Sequence, residues 1–207
     1  MTSLLDGPDR VGRPGASARR EELLGAAARI VQRDGVQSSM AAIAAEAGIT
    51  KPVLYRHFGD KGGLYAALAE RVTDRLMAGL QAALATGRTP QERVLLTVDA
   101  YLAMIEAEPQ TYRFLVHSTE AAPAQGQVRS FLRRLADLLG DGIAAETGLA
   151  EGSVRARAWG HGICGMVQAA GDWWLDEQPC PRAELTAELT ALLWGAYGAG
   201  SSRAQSA

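Results

Sequence analysis

Apolar residues recur three and four positions apart along most of this 207-residue chain, and strict alternation is scarce. That pattern describes helices with one buried stripe rather than strands. Leu23, Leu24, Ala27, Ile30 and Val31 define a first helix starting near Ser17, and the "RDG" at 33–35 stops it with Gly35 in the left-handed cap position. Ser38 and Ser39 offer an N-cap for a short helix, Met40 to Ala47, with Ile43 and Ala44 facing inward. Gly48 ends that helix, and Thr50 can cap a third whose early Pro52 sits where a missing N–H costs nothing.

A long amphipathic helix is expected from Lys61 to about Ala85, where "TGRTP" breaks it. At about 1.5 Å per residue it would span close to 37 Å, enough to join two domains rigidly. Val94, Val98, Tyr101, Leu102 and Ile105 mark the next helix, Tyr112, Phe114 and Leu115 a short one, and Val128, Phe131, Leu132, Leu135, Leu138 and Leu139 another. The last two periodic stretches, "SVRARAWGHGICGMVQAAGDWWLDE" and "RAELTAELTALLWGAYGAG", carry more apolar surface than one subunit needs. The expected fold is all-α with about nine helices, and abundant Ala and Leu with few β-branched runs agrees with it.

Residues 1–16, rich in Gly, Pro, Asp and Arg, lack apolar period and are expected to form a disordered basic arm; residues 199–207 are expected to be a flexible tail. No stretch of about 18 uncharged apolar residues is present, and the first residues lack the basic-then-apolar order of a signal peptide, so a soluble, cytoplasmic protein without membrane partners is expected. Cys164 and Cys180 fit no CxxC or zinc spacing and read as reduced thiols; no metal or cofactor is expected.

The formal charge of −2 conceals an asymmetry: residues 10–61 hold nine basic and five acidic groups, +4, which leaves −6 for the rest. A basic N-terminal quarter suits a polyanion, although an ordinary solvated surface gives the same count. The order helix, tight glycine turn, helix narrows the choice. "SMAAIAAEAGITKPVLYRHFGDKGGLYAAL" resembles the N-terminal helix-turn-helix of the TetR family of bacterial transcription regulators, and with the first helix the resemblance covers roughly residues 17 to 68.

That resemblance implies a DNA-binding domain over 17–63 and a helical ligand-binding and dimerisation domain over 64–198. It assigns Tyr55, His57 and Lys61 to the DNA backbone and Lys51, Pro52, Val53 and Arg56 to the bases, with Ser39 and Thr50 at the caps. The chemistry agrees: Lys and Arg donate to guanine O6 and N7, apolar groups meet thymine methyls, and phenol, imidazole and ammonium groups donate to phosphate. Leu54 and Phe58, four apart, are left for the small domain's core. Ala41 and Ala42 stand where relatives often carry a long polar side chain, so α-helical contacts before the turn should be fewer; Arg10, Arg13, Arg19 and Arg20 are candidates to compensate.

The resemblance further implies a homodimer, built by the last two long helices, that represses from a palindromic double-stranded DNA operator until a small effector releases it. Gly162, Gly165, Ala169, Leu189, Leu192, Leu193 and Trp194 are the interface candidates. Tyr101, Met104, Tyr112, Phe114, His117, Met166, Gln168, Trp173 and Trp174 are the pocket candidates; they suit a mainly apolar or aromatic effector oriented by one polar contact, with His117, His161 and Gln168 open as that contact. Two rival readings stand beside this one: a DNA-binding dimer without a ligand, and an all-α enzyme. The three histidines fall in no metal or nucleophile motif, and "GHG" at 160–162 lies within a helix, which argues against the enzyme.

Overall fold

The computed structural model describes residues 14–117 and 122–204. Among these residues the chain is helical without strands: α1 Pro14–Asp34, α2 Met40–Glu46, α3 Lys51–Phe58, α4 Lys61–Thr86, α5 Pro90–Ala107, α6 Pro109–His117, α7 Ala122–Thr147, α8 Val154–Glu177 and α9 Arg182–Ala204. A single 3-10 turn, Gly35–Gln37, separates α1 from α2.

Local chemistry accounts for most of the boundaries. Ser39, Asp60 and Thr89 each accept a hydrogen bond from a first-turn amide, those of Ala42, Gly63 and Glu92. Gly48 turns the chain between α2 and α3 at φ +64°, where a β-carbon would be strained. Two ends differ from expectation. α1 starts at Pro14, three residues before Ser17, because proline is suited to a first helical turn. α9 runs to Ala204, so residues 199–204 continue the helix where a tail was expected; residues 1–13 and 205–207 lie outside the described residues.

Leu23, Leu24, Ala27, Ile30 and Val31 of α1 pack on Ile43 and Ala44 of α2, Leu54 and Phe58 of α3, and Leu64, Tyr65 and Leu68 of α4. Fully burying one such leucine contributes roughly 2 kcal/mol. Phe114 and Leu115 of α6 complete this core, although they lie far along the chain from the elements they join. The Phe114 ring meets the Tyr65 ring edge-on at 4.7 Å.

A second core gathers Val98, Leu102 and Ile105 of α5 with Tyr112 of α6, Trp174 and Leu175 of α8, and Leu185 and Leu189 of α9. Leu76 and Leu80 of α4 meet Phe131 of α7 in a third. α7 and α8 pack closely at two glycines. A β-carbon on Gly160 would collide with the Ala136 carbonyl and stand 2.8 Å from the Gly140 nitrogen, and one on Gly140 would lie 3.1 Å from the Ala156 carbonyl. No described helix is long and apolar enough to cross a membrane.

Candidate nucleic-acid interface

The turn that positions α3 is closed by its own backbone. Gly48 N–H donates to Ala45 O at 3.1 Å and Ile49 N–H to Ala44 O at 2.9 Å, fixing the angle between α2 and α3. Thr50 then begins α3: its carbonyl accepts from the Val53 and Leu54 amides at 3.1 and 3.2 Å, while its exposed hydroxyl makes no cap bond.

At about 100° per residue, positions 51, 55, 52 and 56 fall within one arc of about 140° on α3, and 54 and 58 fall together just beyond its edge at position 51. Burial follows that division. Leu54 and Phe58 are buried, Lys51, Pro52, Tyr55 and Arg56 are exposed, and Val53 and His57 lie half-buried on the flank. Among the described residues neither Lys51 nor Arg56 has an ion-pair partner. Lys61 places its Nζ over the Tyr65 ring at 5.5 Å, and Ser39 presents an exposed hydroxyl at the start of α2.

The remaining arginines are mostly engaged. Arg29 bridges α1 to α2 through Glu46 at 2.6 Å, Arg33 pairs with Asp34 and Arg19 with Glu22, both at 2.6 Å, and the Arg20 guanidinium stacks 5.1 Å from the centre of the Phe58 ring. Arg19 and Arg20 are thus part of α1 rather than of a separate arm; Arg10 and Arg13 lie outside the described residues. The hydrogen bond pairing with Asp34 raises the Arg33 pKa and lowers that of Asp34.

Tyr65 had no place among the site residues read from sequence. Its buried hydroxyl sits 2.9 Å from the buried Ser38 Oγ, immediately before the Ser39 cap, while its ring rests on Phe114. A second tie runs from α1: Gln32 Oε1 accepts from the Thr111 amide at 3.1 Å and its hydroxyl at 3.3 Å. α6 therefore touches the reading domain at both contacts.

The expected pocket residues do not form one set. Phe114 belongs to the first core, Trp174 is buried with its indole N–H donating to Cys180 O at 2.8 Å, and Trp173 is exposed on the outer side of α8. Met166 and Gln168 are half-buried on α8. Tyr101, Tyr112 and His117 do converge, on Asp172, a residue the periodicity gave no reason to select: Tyr112 O–H donates to Asp172 Oδ1 at 2.6 Å, His117 Nε2 lies 3.3 Å from the same oxygen, and the two phenols are 3.2 Å apart. Because the Tyr112 proton serves Asp172, Tyr101 is the donor to Tyr112. Burial, above all, pushes both phenols above the ordinary tyrosine range, so they remain neutral donors. Met104 borders a groove of about 260 Å³ between α4 and α5, with Leu76, Gly79, Ala100 and Ala103 in its walls and Arg75 and Glu108 at its mouth.

The interface candidates also divide. Gly162, Gly165 and Ala169 lie exposed on one side of α8, and Leu192 is 58% exposed on α9. Leu193 and Trp194 are half-buried, whereas Leu189, 6% exposed, packs into the subunit's own second core because its turn of α9 faces α5. It is not a surface residue.

An exposed basic helix held by a glycine turn on a small three-helix core, with a helical bundle behind it, defines a helix-turn-helix transcription regulator. Residues 23–68 match the family described as bacterial regulatory proteins, tetR family, and residues 79–207 the tetracyclin repressor-like C-terminal domain. The chain belongs to the TetR family. It is similar to the HTH-type transcriptional activator FasR of Mycolicibacterium smegmatis, 31% identical over 181 residues that cover 86% of this chain and 82% of FasR. It is also similar to the uncharacterized HTH-type transcriptional regulator Rv0472c of Mycobacterium tuberculosis, 32% identical over 200 residues, 95% of this chain and 84% of that one. The crystal structure of the transcriptional regulator FadR from Bacillus subtilis, in complex with stearoyl-CoA, superposes with a TM-score of 0.66 at 17% identity, over 84% of this chain and 96% of that one.

Proposed function

We propose that this regulator binds a twofold-symmetric DNA operator as a homodimer, that α3 reads each half-site, and that a small, mainly apolar or aromatic effector releases it. The observation that carries the reading is the division of α3 into a buried side, Leu54 and Phe58, and an exposed side, Lys51, Pro52, Tyr55 and Arg56. Lys51 and Arg56 reach guanine edges, Pro52 and Val53 meet thymine methyls, and Ser39, Thr50, Tyr55, His57 and Lys61 hold phosphates. Two copies pair through the exposed small-residue side of α8, at Gly162, Gly165 and Ala169, with Leu192, Leu193 and Trp194 of α9.

The effector acts by differential affinity for two spacings of the paired α3 helices; a coupling of about 1–3 kcal/mol changes DNA affinity roughly 5–150-fold. The FadR complex supports a ligand with a long apolar part. Release from DNA yields repression relieved by ligand. The naming of FasR as an activator favours a second reading, in which the same DNA contacts raise transcription.

Fluorescence anisotropy with DNA from beside the gene tests the reading. Binding that weakens on raising salt, and weakens further with Lys51→Ala and Tyr55→Ala, is expected. Affinity indifferent to both substitutions would remove α3 as the reading element.

A further inference from the structure

We propose that Tyr65 is a positioning residue for DNA binding: a single buried side chain that sets two helix starts from which phosphates are held, Ser39 of α2 through its neighbour Ser38 and Lys61 of α4 through the phenol ring. The proposal rests on the phosphate contacts given above to Ser39 and Lys61 and supplies what orients them. Tyr65 lies one turn after Lys61 on α4 and is 0% exposed. A phenylalanine would fill that volume without desolvating a polar atom, and a buried hydroxyl is costly unless it is bonded. Here the hydroxyl is answered by Ser38, whose Oγ lies 2.9 Å away and whose carbonyl oxygen lies 3.4 Å away.

Ser38 passes that restraint to Ser39. α2 has seven residues, too few to hold a position by helix propensity, so its place depends on anchors at its ends. Ser38 anchors the start: it is buried, its amide donates to Gly35 O at 3.2 Å, and its hydroxyl meets Tyr65. The adjoining Ser39 is exposed, and its Oγ accepts from the Ala42 amide at 3.2 Å. That bond occupies a lone pair and leaves the hydroxyl proton to donate outward, to a phosphate oxygen.

The ring acts on the second contact. Lys61 Nζ stands over it, 5.5 Å from its centre, so the lysine stem rests on the ring before DNA arrives. A lysine held this way has already given up part of the rotamer freedom that phosphate binding would otherwise remove. The ring itself is held at its edge by Phe114 and at its tip by Ser38. One side chain therefore spans from the start of α2 to the start of α4.

The test uses the full-length protein in anisotropy titrations with DNA from beside the gene, over a range of salt and at a temperature where circular dichroism shows each variant fully folded. Ser39→Ala is expected to weaken binding about fivefold, as loss of one neutral hydrogen bond does, and Tyr65→Phe about as much. The two together should fall no more than about twofold beyond either, with the salt slope unchanged because the ring still carries Lys61. Tyr65→Leu, which removes the ring as well, should also lower the slope of log affinity against log salt by about one, and Lys61→Ala should then add little. A folded Tyr65→Phe protein with unchanged affinity overturns the proposal. So does a loss that adds in full to that of Ser39→Ala, the behaviour of a residue that only packs. If Tyr65→Leu does not fold, the Tyr65→Phe and Ser39→Ala cycle decides alone. Ser39→Ala and Lys61→Ala proteins that bind DNA as the unmodified protein does would refute the phosphate contacts of the reading above, and the proposal would fall with them.

Discussion

Replacing Tyr65 by Phe removes one oxygen from a fully buried side chain and leaves its ring free to remain on Phe114. The lost partner is Ser38 Oγ at 2.9 Å, itself buried, so the substitution strands a hydroxyl away from water. Stranding a buried polar group costs about 1–3 kcal/mol, and a central value of about 2 kcal/mol applies to a neutral hydroxyl. For a chain of this size each kcal/mol moves Tm by about 2–4 °C, so Tyr65→Phe should lower Tm by roughly 4–8 °C. Ser38→Ala leaves the phenol its longer bond to the Ser38 carbonyl at 3.4 Å and should therefore cost less, about 1 kcal/mol. The double variant strands neither group, and should return to within about 1 kcal/mol of the unmodified protein because removing both partners is close to neutral. Thermal unfolding followed by circular dichroism at one fixed protein concentration measures all four corners. A double variant destabilised by the sum of the two singles would refute the assignment of that energy to the Ser38–Tyr65 bond.

Other substitutions test separate parts of the molecule. Lys61→Ala should reduce the slope of log affinity against log salt by about one, as loss of a single phosphate contact does, whereas Tyr55→Phe should lower affinity without changing that slope; anisotropy over a range of salt distinguishes them. Gly160→Ala should force α7 from α8, since the new carbon meets backbone rather than a yielding side chain, and cost about 2 kcal/mol or more in a denaturant midpoint. A β-carbon on the exposed Gly162 would meet nothing within 4 Å inside the subunit, so Gly162→Leu should leave the fold intact yet weaken self-association in sedimentation by about tenfold or more; unchanged association would remove that side of α8 from the proposed dimer. Burial pushes the Cys164 thiol up to about 11. Its thiolate forms only as pH rises toward that value, so its alkylation at pH 8 should be about a hundredfold slower than that of an ordinary thiol, by mass spectrometry of labelled peptides.

What the sequence determined by itself is local. The period of apolar positions placed the helices, Ser39 and Gly48 placed the ends of α2, Thr50 marks the start of α3 without a side-chain cap bond, and the four-residue spacing of Leu54 and Phe58 separated the buried side of α3 from its exposed side. These features follow from backbone geometry and neighbours within a turn or two, which a linear chain displays. The candidate DNA-reading residues were legible for the same reason, since they share eight consecutive positions, 51–58. Tertiary structure decided the partners. Phe114 reads as one more pocket aromatic until α6 is laid on α4, where it meets Tyr65, and Leu189 shares the apolar stripe of α9 with Leu192 until α5 covers one and leaves the other exposed. Tyr112 and Asp172 stand 60 positions apart, and Ser38 and Tyr65 stand 27 apart, so neither pair leaves a periodic trace. Which helices cross, and at what depth, depends on packing between distant segments, with glycines such as Gly160 permitting close approach; that information exists only once the chain has folded back on itself.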